Sequence, residues 1–313
     1  MRAVVIKDGA IVVAERPDPE PGPHEVLVRV RAAGLNNADI LQSQGHYPPP
    51  AGVPADMPGM EFAGEIARNG PGAERFRAGE RVMSLIGGAG QAELAVVHER
   101  MLMPVPQQLD WPAAGGLPEV FTTAHDALFT QCGLLAGERL LVHGAAGGVG
   151  TAAVQLGRAA GARVVATVRN PRHREALASL GALVVAPDEF VDEGPFDVIL
   201  ELVGGPNVPD NLRTLRTGGR ISVIGTGAGA TVAEFPLGLL MARRGRLHGS
   251  TLRGRPLEEK ALAARALERS VLPLFASGAL RVPLHATFPL VQATEAYALF
   301  AAGGKLGKIV LTA

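Results

Sequence analysis

The 313-residue sequence contains one cysteine, Cys132, and this scarcity excludes two kinds of structure. A lone cysteine cannot form a disulfide within the chain, so a reducing compartment, the cytoplasm, is the expected setting. Nor can it supply the several thiolates of a cysteine-rich structural zinc site. We expect Cys132, at the end of an apolar helical segment, to contribute to packing rather than to chemistry.

The sequence also lacks an excess of charge of either sign, with 30 Lys plus Arg against 30 Asp plus Glu. Because nucleic acids and anionic membranes attract basic surfaces, neither is expected as a partner. No uninterrupted apolar run reaches the length of a membrane span. Residues 1–15 have no long apolar run after their basic start, as a signal peptide would, and instead predict two short strands around Asp8 and Gly9.

The pattern of apolar residues, proline and glycine changes along the sequence. Residues 1–118 hold short alternating apolar runs broken by Pro and Gly, which is typical of an antiparallel β-rich domain. The proline-rich stretch 45–59 is predicted to be a loop, because it can form neither a helix nor a central strand. We expect the tail, residues 257–313, to return to this first domain. Its helical and strand patterns cover 257–276, 285–290, 292–302 and 307–311.

Residues 119–256 alternate between strand and helix patterns, which predicts a doubly wound parallel sheet and an α/β fold class. The predicted strands are 140–143, 163–168, 184–186, 198–203, 220–224 and 246–249. The predicted helices are 151–160, 171–180 and 207–215. Gly204 and Gly225 follow two of the strands at their carboxyl ends, where open α/β sheets bind ligands.

A glycine-rich turn joins the first of these strands to the first helix. Its pattern, Ala145-x-Gly147-x-x-Gly150, includes Gly148 and Val149 and has alanine at the first glycine position. Gly147 allows a pyrophosphate to approach the backbone, Gly150 allows the helix to pack on the strand, and the helix N-terminus attracts phosphate. A turn without a ligand is the alternative, but the flanking strands and helix favour dinucleotide binding.

The end of the second strand indicates which dinucleotide is bound. NAD sites usually carry an acidic residue there that accepts from the ribose 2′-hydroxyl. Here Val168 is followed by Arg169 and Asn170, so no carboxylate opposes a 2′-phosphate. Arg169 can pair with that phosphate and Asn170 can donate to it. We therefore expect NADPH rather than NADH as the cofactor.

Six segments, in order along the chain, resemble the medium-chain dehydrogenase/reductase superfamily. They are similar to its zinc-free quinone oxidoreductases and, most narrowly, to the p53-inducible quinone oxidoreductase group. The loop GHYPPPAG and the sequence LPEVFTTA are the most specific of these matches. The segments are 32–52, 58–66, 116–129, 140–156, 247–255 and 307–311.

The resemblance implies a two-domain protein. A GroES-like substrate domain would comprise 1–118 and 257–313, and a Rossmann dinucleotide-binding domain would comprise 119–256. The cofactor would lie in the cleft between them, a small electron-poor molecule such as a quinone would be the other partner, and the protein would usually form a homodimer.

The resemblance also bears on zinc. Zinc-dependent relatives carry a cysteine and a histidine at positions where this chain has Asn36 and Met60. An amide and a thioether do not assemble an ordinary zinc site, so we expect no metal. Without a metal to activate an alcohol, reduction of an electron-poor acceptor is expected instead of alcohol oxidation.

Candidate site residues follow from the same resemblance. Asn36 and Tyr47 would contact the nicotinamide or the acceptor, and Thr123 the nicotinamide face. The remaining cofactor contacts would be Gly204, Gly225, Thr226, Ser250, Thr251 and Lys305. Roles in a turn for Asn36, in covering apolar surface for Tyr47 and at a helix start for Thr123 remain open.

Two further expectations concern the surroundings of the site. Asp39 and Glu61 are expected to form internal hydrogen bonds rather than to act as acids or bases. Many relatives have Asn-Tyr near the adenosine, where this chain has Pro187 and Asp188, so the adenine contact stays open.

The sequence therefore predicts a zinc-independent NADPH:quinone oxidoreductase. Two alternatives remain: an NADPH-dependent 2-alkenal or enoyl-thioester reductase, and a non-catalytic NADPH-binding protein with a structural or regulatory role. The physiological acceptor and the proton donor are not determined by the sequence.

Overall fold

The computed structural model describes all residues from Met1 to Ala313. The strands are β1 Arg2–Lys7, β2 Ala10–Glu15, β3 Glu25–Gly34, β4 Glu61–Asn69, β5 Arg81–Leu85, β6 Leu94–His98, β7 Met103–Pro104, β8 Arg139–Val142, β9 Arg163–Thr167, β10 Ala182–Val185, β11 Phe196–Glu201, β12 Leu215–Val223, β13 Arg246–Gly249, β14 Leu284–Pro289 and β15 Lys308–Thr312. The helices are α1 Asn37–Ser43, α2 Trp111–Gly115, α3 Pro118–His125, α4 Gly148–Ala159, α5 Arg174–Ser179, α6 Val208–Thr214, α7 Leu237–Ala242, α8 Leu257–Ser270, α9 Leu272–Ala276 and α10 Ala293–Ala302.

The chain forms two compact units. We call them outer and inner by their order along the chain only. The outer unit combines Met1–Thr122 with Leu252–Ala313, and the inner unit is Thr123–Thr251. The domain limits predicted from the sequence, after residues 118 and 256, remain predictions. None of the helices has both the length and the apolar character needed to cross a bilayer.

The outer unit is built on a seven-stranded sheet in the order β14-β15-β3-β4-β5-β7, with β6 also paired to β3. β1 and β2 form the predicted hairpin, in which Asp8 and Gly9 adopt the positive φ values that a tight turn between strands requires. β15 runs antiparallel to β3, with Val310 opposite Gly34. This pairing brings the end of the chain beside the residues that follow β3.

The inner unit contains the predicted parallel sheet, in the order β10-β9-β8-β11-β12-β13. All five strand pairs are parallel, so the predicted α/β fold class is confirmed. The order reverses direction between β8 and β11. In open α/β sheets, ligands bind at the carboxyl ends of the strands beside such a reversal.

The structure corrects the bounds of three predicted helices. The helix predicted at 151–160 begins at Gly148, inside the glycine-rich turn. The pattern at 171–180 divides into a 3₁₀ turn, Pro171–His173, and α5. The pattern at 257–276 divides into α8 and α9, because Pro273 cannot continue the hydrogen bonding of a long helix.

Candidate functional site

The glycine-rich turn of the inner unit is packed too closely for side chains at two positions. A Cβ atom on Gly150 would lie 2.6 Å from the Cα of Ala145, and one on Gly157 would lie 2.6 Å from Leu140 Cδ2. The side chain of Ala145 is itself buried under the turn. α4 therefore rests directly on the turn and on β8, which fixes the direction of its N-terminus.

The backbone at the start of α4 is open where a pyrophosphate would approach. A Cβ atom on Gly147, the N-cap residue, would meet only the carbonyl oxygen of Gly144, at 3.7 Å. The N–H groups of Gly148 and Val149 have no partner within the helix, because the first helical hydrogen bond runs from Thr151 to Gly147. These features fit a dinucleotide pyrophosphate.

A buried network lies beneath this turn, and we call His143, Thr167, Glu201 and Asn211 the His143 network. The Nδ2 of Asn211 donates to Glu201 at 2.8 Å, so its Oδ1 faces His143 Nε2, also at 2.8 Å. Nε2 must then carry the proton, and Nδ1 accepts from the Thr167 hydroxyl at 3.2 Å. Burial lowers the pKa of His143, which favours this neutral form.

The other oxygen of Glu201 holds the loop that follows β11. It accepts from the N–H groups of Val203 and Gly204, at 2.6 and 2.8 Å. Gly204 has a φ of 131°, and a Cβ atom on Gly225 would lie 2.4 Å from the Leu202 carbonyl oxygen. The two glycine-containing loops predicted to border the cofactor thus lie against each other at the carboxyl ends of β11 and β12.

The residues after β9 are those predicted to hold a 2′-phosphate, and this role stays a prediction. Arg169 is exposed and forms no ion pair, so its guanidinium is available to a phosphate. Asn170 caps the following 3₁₀ turn, with its Oδ1 accepting from the N–H of Arg172 at 3.1 Å. The Asn170 amide nitrogen lies 3.4 Å from His173 Nε2 in the same turn.

The remaining candidates in the inner unit differ in exposure. Thr123 is buried, whereas Thr226 and Thr251 are exposed. The Ser250 hydroxyl donates to Asp126 Oδ2 at 3.1 Å, so it can offer only its lone pairs to a ligand while that bond persists. Asp126 begins a single π-helical turn, Asp126–Gln131, a feature often found at functional sites.

In the outer unit, the amide of Asn36 is held in one orientation. Its Oδ1 accepts from the Lys308 ammonium at 2.6 Å, and its Nδ2 donates to Glu61 at 3.0 Å. Because ammonium only donates and carboxylate only accepts, the amide cannot flip. The second N–H of the Asn36 side-chain amide remains for a further acceptor. Lys308 also pairs with Glu61 at 2.6 Å and donates to the Leu35 carbonyl, so its three protons are all used.

Asp39 continues this cluster, and we call Asn36, Asp39, Glu61, Gln91 and Lys308 the Lys308 network. The Asp39 carboxylate accepts from the N–H groups of Asn36 and Gly59, at 2.8 and 3.0 Å. Burial raises its pKa to about 6. As predicted, Asp39 and Glu61 are occupied by internal hydrogen bonds, and Glu61 also caps α3 by accepting from the N–H of Glu119.

Tyr47 lies in the proline-rich loop, which has no helix or strand, as predicted. The side chain is half-buried, and desolvation raises the pKa of the phenol, so it stays protonated at neutral pH. The guanidinium of Arg253 lies 5.1 Å from the centre of its ring. Tyr47 is therefore a neutral hydroxyl donor in the outer unit.

Lys305 lies between α10 and β15, in a segment where Gly303, Gly304 and Gly307 have positive φ values. Its ammonium lies 3.5 Å from the centre of the Phe300 ring. Burial, with a smaller effect of the Lys308 charge, lowers the pKa of Lys305 to about 8.

The structure contains no group of three or more His, Cys, Asp or Glu side chains placed to hold a metal ion. At the two positions where zinc-dependent relatives would supply ligands, Asn36 is engaged as described and Met60 is buried against Leu85 and Leu252. Cys132 is buried, and desolvation raises the pKa of its thiol to about 12.

Sequence reasoning missed three elements of these sites: Lys308, Arg253 and the partners of His143. Lys308 and Arg253 both lie in segments that resemble the medium-chain dehydrogenase/reductase superfamily, 307–311 and 247–255. A buried cation inside an apolar strand was the available signal for Lys308, since such a charge needs partners.

Both parts of the chain match known families. Residues 22–107 match the alcohol dehydrogenase GroES-like domain, and residues 148–268 match the zinc-binding dehydrogenase family. Among solved structures, an NAD-dependent alcohol dehydrogenase superposes with a TM-score of 0.88 at 27% identity, and 100% of each chain is covered.

Two curated relatives differ in how much of their own length is matched. Human (Homo sapiens) quinone oxidoreductase is 31% identical over an alignment 329 residues long, which covers 99% of this chain and 97% of the human protein. The spectinabilin polyketide synthase system protein NorB of Streptomyces orinoci is 34% identical over 306 residues. That match covers 93% of this chain but only 13% of NorB.

Proposed function

Because this chain belongs to the quinone oxidoreductases of the medium-chain dehydrogenase/reductase superfamily, we propose that it reduces quinones with NADPH and without a catalytic zinc ion. One quinone, one NADPH and one proton would yield a hydroquinone and NADP⁺. A bound nicotinamide supplies the hydride, and the protein supplies binding, orientation and hydrogen bonds.

The inner unit would bind the dinucleotide. The turn from Ala145 to Gly150, with the N–H groups of Gly148 and Val149, would hold the pyrophosphate. Arg169 and Asn170 would hold the 2′-phosphate, a preference supported by the absence of an ion-paired partner for Arg169. The further contacts proposed in this unit are Gly204, Gly225, Thr226, Thr123, Ser250 and Thr251, and Lys305 of the outer unit is proposed as an additional contact.

The observation that carries the zinc-free proposal is the locked amide of Asn36. The Lys308 ammonium lies 2.6 Å from both Asn36 Oδ1 and Glu61, so a positive charge already balances this carboxylate. A divalent metal would have to displace that ammonium from a buried position. The free N–H of Asn36 and the protonated phenol of Tyr47 are instead suited to stabilise negative charge on a reduced oxygen.

Steady-state assays of the purified protein test the proposal. We expect oxidation of NADPH with 1,4-naphthoquinone, no effect of a zinc chelator, and a Kd for NADPH roughly tenfold or more below that for NADH. Substoichiometric zinc in active protein is expected by elemental analysis. Stoichiometric zinc, loss of activity with the chelator, or tighter binding of NADH would each contradict a part of the proposal.

Reduction of an alkene conjugated to a carbonyl or thioester is the second candidate function. It is favoured by the match of 93% of this chain to a part of a polyketide synthase system protein. A crotonyl thioester and trans-2-hexenal, assayed beside the quinone, distinguish the two activities by their kcat/KM values. Tight NADPH binding with no turnover on any of these acceptors would favour the non-catalytic role. The homodimer stays a prediction that light scattering would test.

A further inference from the structure

Arg253 is among the largest fully buried side chains of the protein, yet it forms no ion pair. Its guanidinium is held by oxygen atoms of neutral groups and by an aromatic face. Desolvation lowers its pKa, and the nearby negative charge of Asp39 only partly opposes this effect. A charge buried at such cost indicates a specific structural task.

The three acceptors of Arg253 lie on different segments of the outer unit. Nε donates to the Gly87 carbonyl at 2.7 Å, Nη1 donates to the Tyr47 carbonyl at 2.9 Å, and Nη2 donates to Gln42 Oε1. The guanidinium also faces the Tyr47 ring. The planar fork thus joins the end of α1, the loop after β5 and both the backbone and ring of Tyr47.

The proline-rich loop is held at its two ends, where the His46 N–H donates to the Leu41 carbonyl and the Ala55 carbonyl accepts from Gln42 Nε2 at 2.9 Å, whereas its middle has few anchors. Within residues 47–54, the bond from Arg253 is the only hydrogen bond to a residue outside the loop. The remaining contact is apolar: a Cβ atom on Gly87 would lie 3.0 Å from side-chain atoms of both Pro50 and Val53. Removing the guanidinium would therefore leave Tyr47 attached mainly through its neighbours in sequence.

We propose that Arg253 is a positioning residue, which acts on the reaction through Tyr47 by fixing its loop before the acceptor binds. This inference rests on the proposed contact between Tyr47 and the acceptor. Lysine cannot replace arginine here, because one ammonium on a flexible stem cannot span the three acceptors in one plane and face the ring at the same time.

The test compares Arg253→Lys with Arg265→Lys. Arg265 is the control because it is a half-buried arginine of the outer unit that makes no contact with the loop: it donates to a backbone carbonyl, that of Leu102, and pairs with Glu268. Amide hydrogen exchange is measured at His46, whose N–H donates to the Leu41 carbonyl in α1, and at Val53, whose N–H donates to the Pro50 carbonyl within the loop. In R253K we expect exchange at these amides to be faster by about tenfold or more, and R265K to leave them unchanged.

The kinetic readout uses 1,4-naphthoquinone and NADPH. In R253K we expect kcat/KM for the quinone to fall by roughly tenfold while the Kd of NADPH stays within about twofold. In a Tyr47→Phe background the same change should cost less than about threefold, because the group it positions is already gone. Equal losses in both backgrounds would overturn the proposal.

The outcomes separate this inference from the proposed function. A wild-type protein that reduces no quinone would refute the proposed function, whereas unchanged loop exchange in R253K would refute the anchoring of Tyr47 whatever the acceptor. If R253K does not fold, Gln42→Met is compared with Gln42→Glu. Both lose the Nε2 bond to the Ala55 carbonyl, but only Q42M loses the acceptor for the Arg253 guanidinium. Exchange at His46 is then expected to be faster in Q42M than in Q42E, and equal exchange would again overturn the proposal.

Discussion

The two units each contain a buried polar network, and the networks hold different kinds of group. The Lys308 network is charged and fixes a side chain, because an ammonium and a carboxylate orient the Asn36 amide. The His143 network contains a neutral imidazole and one carboxylate, and it fixes backbone, because Glu201 binds the N–H groups of Val203 and Gly204. One network orients an amide that we propose to contact the acceptor, and the other shapes loops that we propose to bind the dinucleotide.

This difference implies that the networks respond differently to mutation. Removing one member of a buried ion pair leaves an uncompensated charge, which costs more than the loss of a neutral hydrogen bond. The most damaging single change should therefore be in the Lys308 network.

Lys308→Met gives the largest expected effect. It leaves Glu61 buried without its counter-ion, and we expect the free energy of unfolding to fall by about 3–5 kcal/mol in urea denaturation. The double variant K308M/E61Q should recover part of this loss. Lys7→Met, at an exposed position, is the control and should change stability by no more than about 0.5 kcal/mol. A K308M loss as small as that of K7M would contradict the expected cost of leaving Glu61 buried without its counter-ion.

Two glycines of the inner unit sharpen the comparison by separating packing from ligand contact. Gly150→Ala places a methyl group 2.6 Å from the Ala145 backbone, so we expect a loss of roughly 1–3 kcal/mol in stability together with weaker NADPH binding. Gly147→Ala meets only an oxygen at 3.7 Å, and its φ of −71° suits alanine.

The matched expectation for Gly147→Ala is therefore unchanged stability with weaker NADPH binding, measured by thermal unfolding and by titration. Full NADPH affinity in G147A would mean that the pyrophosphate does not approach this residue. A stable G150A would contradict the tight packing of α4 on the turn.

The two sites also differ in how far apart their residues lie along the chain, and this difference explains what the sequence could predict. The turn from Ala145 to Gly150 is local, and its glycine spacing directly reflects backbone approach and helix packing. Asn36 and Lys308 are 272 residues apart, and only the pairing of β15 with β3 brings them together. Composition and periodicity carry no information on such a pair, so the candidate Asn36 was predicted while the residue that orients it was not.

The two networks should differ in the sign with which their contribution to the free energy of unfolding changes with pH. Burial raises the pKa of Asp39 from 3.8 to about 6, so between these values the folded state holds a proton that the unfolded chain releases. Its contribution to the free energy of unfolding therefore decreases as pH rises from 4 to 6. Burial lowers the pKa of His143 below 6.5, so its contribution instead decreases as pH falls below 6.5.

We therefore expect the stability difference between wild type and His143→Gln to shrink as pH is lowered from 7 to 5, by up to about 1.4 kcal/mol per pH unit. The difference between wild type and Asp39→Asn should instead shrink as pH is raised from 4 to 6. Urea denaturation of the three proteins across this range measures both slopes. Slopes of the same sign would remove this distinction between the networks.

The smallest expected effect concerns Lys305, a cation near the Lys308 network but without a carboxylate partner. With a pKa of about 8, its ammonium loses its charge as pH rises from 7 to 9, whereas an arginine keeps its charge. If Lys305 contacts a cofactor phosphate, the Kd of NADPH should rise by roughly threefold to tenfold over this range, because a charge-assisted hydrogen bond is lost. Lys305→Gln should start with the weaker affinity and show no such dependence, while Arg169→Gln should bind more weakly yet keep it. Retention of the pH dependence in K305Q would assign it to another group and remove Lys305 from the cofactor site.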